Sequence, residues 1–197
     1  MYDVGLRAMF LPFGGEQRVK RAFVARAGVQ EGMRVLDICC ATGKLTELAG
    51  RAAAESGRGV GVDVSLPMVR RARAHRQSAV FVCADAANLP FGDASFDVVL
   101  AFLALHELPG QERNAAIREA HRVLRPGGRL AIGEYPRDPR GLRGILLKAI
   151  VHTFEPKSAK GMFRGEHLAA AGELFDLEHR EVLLGGFGEM TVARRNC

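Results

Sequence analysis

Between residues 34 and 135 short apolar runs alternate with longer amphipathic ones. "RVLDIC" (34–39), "GRGVGVDVS" (57–65), "AVFVCAD" (79–85), "FDVVLAFLAL" (96–105) and "RLAIGEY" (129–135) are compact and apolar, as strands buried on both faces are. Between them, "GKLTELAGRAAAES" (43–56) repeats Leu45, Leu48, Ala49 and Ala52 at helical spacing. "LPMVRRARAH" follows Ser65 as an N-cap and carries Pro67 in its first turn. "GQERNAAIREAHRVLRPGG" (110–128) puts Ala116, Ile117, Ala120, Val123 and Leu124 on one side and stops before Pro126-Gly127-Gly128. Strand, helix, strand, helix predicts βαβ units and a parallel sheet covered on both faces. The last third breaks this rhythm. Residues 143–154 and 165–175 predict helices, and 176–196 predict two strands joined at Gly185-Gly186. The expected architecture is a doubly wound α/β fold of seven strands, mostly parallel, with an antiparallel terminal hairpin. No repeat or linker interrupts the pattern, so 1–197 is expected to form a single domain.

Composition changes this picture little. Of the 197 residues, 48% are hydrophobic and 25% charged, ordinary for a globular chain with a filled core. No apolar run approaches the ~18 residues of a membrane span, and no secretory leader is read at the start; the compartment expected is the cytoplasm. The net charge of +6 permits an anionic partner. Yet the basic residues are scattered, the densest group being Arg70, Arg71, Arg73 and Arg76 on a predicted helix face. Cys39, Cys40, Cys83 and Cys197 lack metal-ligand or redox-motif spacing, so reduced thiols and no metal are expected.

In an open doubly wound sheet, ligands bind outside the carboxyl ends of the strands. Asp37, Asp63 and Asp85 fall there, one per successive unit. Asp63, 26 residues after Asp37, lies where an acid reaches ribose hydroxyls. Asp85 lies further along, where its carboxylate accepts from an adenine amino group and the backbone of Ala86 contributes. Taken singly, each acid reads equally well as a turn or helix cap. The loop Cys39-Cys40-Ala41-Thr42-Gly43 matches neither G-x-G-x-x-G nor the P-loop. It is a loop of small residues that brings backbone close to a ligand without a pyrophosphate.

"VLDICCATGKLT", "GVDVSLPMVRRAR", "CADAANLPFGDASFDVVLAFLALHEL" and "REAHRVLRPGGRLAIGEY" resemble, in order, the successive motifs of class I S-adenosylmethionine (SAM)-dependent methyltransferases. The resemblance spans about residues 16–135 and is nearest the ubiquinone/menaquinone C-methyltransferase group; bacterial phosphatidylethanolamine N-methyltransferases also look related. It implies a Rossmann-like fold, SAM as cofactor, and a binding set of Tyr2, Asp37, Cys39, Ala41, Thr42, Gly43, Asp63, Val64, Met68, Asp85, Ala86 and Phe102. Cys39 and Ala41 stand where the family's loop has glycine. It further implies a cofactor-binding core over 16–135, an acceptor-side insertion over 136–175 and a terminal hairpin over 176–197.

The reaction so implied is in-line methyl transfer, in which alignment and desolvation do most of the catalysis. An oxygen or phenol-like acceptor needs a general base, and His106 and Glu107, just after the fourth predicted strand, are the candidates. His106 reads equally as a pocket-lining or strand-capping residue. His152, His167 and His179 read as surface or acceptor-side residues. Tyr2 is a candidate to close over the sulfonium by a cation–π contact. The acceptor expected is a small molecule or lipid-like quinol, phenol or amine, and the apolar face of 143–154 either covers it, touches a membrane surface or packs as an ordinary core helix. The alternatives are a nucleic-acid methyltransferase, which lacks its N/D-P-P-Y/F motif here, and a non-catalytic SAM-binding protein.

Overall fold

The computed structural model describes residues 10–54, 57–139, 141–154 and 157–196. Tyr2 and Cys197 lie outside the described residues. The elements are α1 (Glu16–Arg26), β1 (Arg34–Ile38), α2 (Lys44–Ala53), β2 (Arg58–Asp63), α3 (Leu66–His75), β3 (Ala79–Cys83), β4 (Phe96–Phe102), α4 (Gly110–Val123), β5 (Leu124–Glu134), α5 (Gly141–Phe154), α6 (Glu166–Gly172), β6 (Phe175–Leu183) and β7 (Gly188–Arg195), with a 3-10 segment over Lys157–Arg164. The seven strands form one sheet in the order β3-β2-β1-β4-β5-β7-β6. The first five run parallel. β7 pairs antiparallel with both β5 and β6.

Alternate residues of the central strands feed two cores. Leu36, Val99, Ala101 and Leu130 pack against Ala116, Ile117, Ala120 and Val123 of α4. Val35, Val98, Leu100 and Ala131 face the other way, against Phe23 and Val24 of α1 and Leu45, Ala49 and Ala53 of α2. Both faces exclude water, so both positions of the two-residue period are apolar.

Two predicted boundaries shift. The helix expected to stop before Pro126 ends at Val123, and β5 begins at Leu124 instead of residue 129. Phe96 pairs with Leu124 but Val98 with Arg129, so Arg125–Gly128 form a bulge. Pro126 cannot donate to a ladder, and Gly127 takes φ 74° there. α1, with no counterpart in the expected element list, packs against α2 through Phe23 and Val24.

Candidate functional site

The chain runs outward through β1, β2 and β3 and then returns to β4 on the far side of β1. That reversal places a crevice at the carboxyl ends of β1 and β4. A pocket opens there, lined by Asp37, Cys39, Ala41 and Thr42 from β1 and its loop, Phe102 and Leu103 from β4, and Glu16 and Lys20 from α1.

The loop after β1 turns sharply. Cys39, Ala41 and Gly43 all have left-handed backbone, with φ of 55°, 47° and 70°. At Gly43 a Cβ would strike the Phe81 ring, so only glycine fits. Cys39 and Ala41 tolerate the conformation at a cost of roughly 1–2 kcal/mol each. Both thiols border the pocket, and Cys40 also packs with Val69, Ala72 and Phe81 beneath α3. Burial, with Asp63 and Asp37 nearby, pushes the Cys39 thiol up to about 12; burial and the same carboxylates push Cys40 higher. Both shifts disfavour the thiolate, the form in which a cysteine acts as a nucleophile. Replacing Cys39 or Ala41 with glycine relieves strain and costs about 0.5–1 kcal/mol of backbone entropy. Each variant is therefore expected to be as stable as the parent or up to about 1 kcal/mol more stable. Thermal denaturation checks this, and a clear fall in Tm would assign the thiol a role beyond its size. Cys39→Val, β-branched in a left-handed position, should lower Tm instead.

Asp37 is 2% exposed, and its Oδ2 accepts the Thr46 hydroxyl at 2.6 Å. Burial lifts its carboxyl to about 7, against the opposing pull of Thr46 and Lys20. A carboxylate held at the pocket wall fits a cationic ligand. Asp63 ends β2 and grips the loop: Oδ2 accepts the Ala41 N–H and Oδ1 the Ser65 N–H, both at 2.8 Å. Asp85 is exposed and accepts the Ala87 N–H at 2.8 Å in an Asx turn. The Ala86 methyl is buried in the core. Val64 is 76% exposed and Met68 half-buried; neither lines the pocket at β1 and β4. Phe102 stacks on Phe10 and meets Phe23 edge-on, with Lys20 Nζ 5.9 Å from its ring centre.

His106 is not among the residues lining this pocket. It is buried behind the turn that follows β4, with Nδ1 2.9 Å from Glu134 Oε2 and its ring against Tyr135. Nε2 lies 3.5 Å from Glu107 Oε1. Glu134, at the end of β5, is the residue that organises this corner. Its Oε1 accepts backbone N–H groups of Ala104, Leu105 and His106 at 2.8, 2.7 and 3.3 Å. Burial raises its carboxyl, but His106, His167 and the backbone donors outweigh that and hold it below the usual range. Glu107 is likewise lowered, chiefly by its hydrogen bond to His106. His167 is not a surface residue; it is 2% exposed.

Glu16, Lys20, Glu134 and Arg113 are absent from the residues expected from sequence. Glu16 and Lys20 follow Gly14-Gly15 on α1, and Glu16 pairs with Lys44 at 2.8 Å across the pocket loop. A Val19, Phe23, Val24 spacing is the only signal that marked this helix. Among the described residues no group of His, Cys, Asp and Glu is placed to hold a metal, and no helix is long and apolar enough to cross a membrane.

A family model described as a methyltransferase domain matches residues 36–132. The chain is 31% identical over 199 residues to an uncharacterized methyltransferase of Synechocystis, covering 100% of this chain and 92% of that protein. It is 36% identical over 154 residues to a ubiquinone/menaquinone biosynthesis C-methyltransferase of Azotobacter vinelandii, covering 75% of this chain and 60% of that protein. The chain thus spans under two thirds of the quinone-pathway relative. A SAM-dependent methyltransferase structure from Aquifex aeolicus shares the fold, with a TM-score of 0.69 over 89% of each chain at 21% identity. The chain belongs to the SAM-dependent methyltransferases.

Proposed function

We propose that this enzyme methylates a small hydroxylated aromatic acceptor of the quinol or phenol type, with His106 receiving the acceptor's proton. The His106–Glu134 pair carries the reading. A buried carboxylate on Nδ1 fixes that nitrogen as a donor and sets Nε2 3.5 Å from Glu107 Oε1, where the proton taken from the acceptor would be held between Nε2 and the Glu107 carboxylate. Glu134 acts as the positioning residue. Its grip on three consecutive backbone N–H groups also locks the turn that carries His106.

SAM supplies the activated methyl group on a sulfonium. The chain's own residues align and desolvate: Asp37 and the 39–43 loop hold the cationic end, Asp63 and Asp85 the nucleoside end. The segment 136–175 covers the acceptor side. Its α5 and the 3-10 segment after it form a separate cluster of Leu147, Val151, Ala159 and Met162 on Tyr135, directly after β5. The name of the Azotobacter relative supports a quinol-like acceptor.

Methyl transfer from SAM to quinols, phenols, amines and phospholipids tests this reading. A quinol or phenol is expected to be accepted. His106→Ala should then lower kcat by about 10²–10⁴-fold, with the affinity for S-adenosylhomocysteine unchanged. A variant that keeps full kcat on an accepted phenol removes His106 as the base. Acceptance of amines or phospholipids alone overturns the acceptor class.

A further inference from the structure

Arg113, in the first turn of α4, is 2% exposed. Only Nη2 is used, donating to Glu166 Oε2 at 2.7 Å. Nε and Nη1 are shut away from solvent with no hydrogen-bond partner. One residue beyond Glu166, His167 is equally buried, and its Nδ1 has no partner either. A guanidinium has donors only, so what it lacks is oxygen. Its neighbours offer little to spare. Both oxygens of the Glu134 carboxylate are committed to backbone N–H groups and His106. The Glu166 side chain, by contrast, is 45% exposed and can swing into water.

Native interiors rarely leave two donors of one cation unpaired. Carboxylates bind guanidinium through two parallel bonds, and Glu166 uses a single nitrogen of that fork. The charge also matches a single anion. Arg113 contributes one positive charge, while His167 is neutral at physiological pH, because burial lowers its pKa to about 4 despite Glu134. His167 and Glu134 interact electrostatically, and Glu134 also holds His106, so these unpartnered nitrogens adjoin the His106 corner.

We propose that Arg113 and His167 form a recognition subsite for the carboxylate of the acceptor, a hydroxylated aromatic carboxylic acid whose anion displaces Glu166 from the guanidinium. This rests on the preceding reading of a hydroxyaromatic acceptor at His106. The outer side of the subsite is α6 and the 3-10 segment before it, where Gly161 leaves no room for a Cβ beside the Glu166 carboxylate. The Arg113–Glu166 pair therefore closes the subsite in the absence of the acid.

Calorimetric titration of the full chain, saturated with S-adenosylhomocysteine, separates the possibilities. The probes are 3,4-dihydroxybenzoate and catechol, which differ only in the carboxylate. The benzoate is expected to bind at least about tenfold more tightly. Arg113→Met should bring the two within about twofold while leaving S-adenosylhomocysteine affinity unchanged, and Arg113→Lys should restore part of the preference. Equal binding of both probes to the parent protein, or a preference that survives Arg113→Met, overturns the subsite. If Arg113→Met does not fold, His167→Phe serves, with the same expected loss of preference. Methyl transfer to catechol by the parent protein reports separately on the acceptor class. Carboxylate-dependent binding without any aromatic methylation leaves the subsite standing and sinks the acceptor reading instead.

Discussion

Asp63→Ala should abolish the thermal stabilisation that SAM and S-adenosylhomocysteine give the parent protein. Two effects add. The ribose contact implied for this carboxylate is lost, and so are the bonds that tie Ala41 N–H and Ser65 N–H to it. Hydrogen bonds to a charged group are worth roughly 1.5–3 kcal/mol each. A loss of about 3 kcal/mol in ligand binding corresponds to more than a 100-fold fall in affinity. The unliganded protein should also lose stability, because loop and α3 share this one anchor. Differential scanning fluorimetry with and without ligand distinguishes the two effects. A parent-like ligand shift in Asp63→Ala, or no shift in the parent at millimolar ligand, excludes Asp63 from the cofactor site. Asp63→Asn retains one acceptor oxygen and should fall between.

Asp37→Asn should do the opposite to the unliganded protein, increasingly so as pH rises from about 4 to 7. A carboxyl with an ordinary pKa near 4 is lifted by burial to about 7. Between those values the folded chain keeps a proton that the unfolded chain has released. The unfolded state therefore binds fewer protons, and stability falls as pH rises from about 4 to 7, then levels off. Three pKa units correspond to about 4 kcal/mol. Asparagine carries no such charge. At pH 8 the variant should melt several degrees higher than the parent, at roughly 2–4 °C per kcal/mol for a domain of this size. At pH 5 the difference should shrink to about a third, and below pH 4 it should nearly vanish. SAM affinity should move the other way, rising with pH through 7 in the parent as Asp37 ionises and becoming flat and weak in Asp37→Asn. A Tm difference independent of pH would show that Asp37 is already ionised in the folded protein at pH 5.

The parallel strands and the loop at 39–43 were readable from sequence because their determinants are local. A run such as "VLDIC" is apolar at every position only if water is excluded from both faces, and the acid after it marks where the run leaves the sheet. The remaining determinants are distant. Arg113 on an amphipathic helix reads as solvated, and only α6, 53 residues later, buries it. Glu134 looks like one more acid at a strand end, yet its partners at 104–106 precede it by about 30 residues. Five of the eleven residues of α1 are charged, and its Glu16 meets Lys44 across 28 residues. Pro126-Gly127-Gly128 does stop the helix, but the same residues form a bulge within β5. The pairing of the hairpin was expected, whereas which of its strands joins β5 was not encoded locally, since both alternate in the same way.

That last choice bears on the order of assembly. β7 lies between β5 and β6, although β6 precedes it in the chain. During synthesis β6 therefore emerges with no neighbour in the sheet. It waits for residues 188–195, which bring in Met190 and Val192 to complete the core against Val98 and Leu100. Shortening the chain to residue 187 would detach β6 along with β7, leaving β5 as a bare sheet edge prone to pairing with another copy. The cofactor crevice at β1 and β4 would sit two strands from that edge. A nascent chain can thus build its five parallel strands early, while the antiparallel side of the sheet is completed only when β7 arrives.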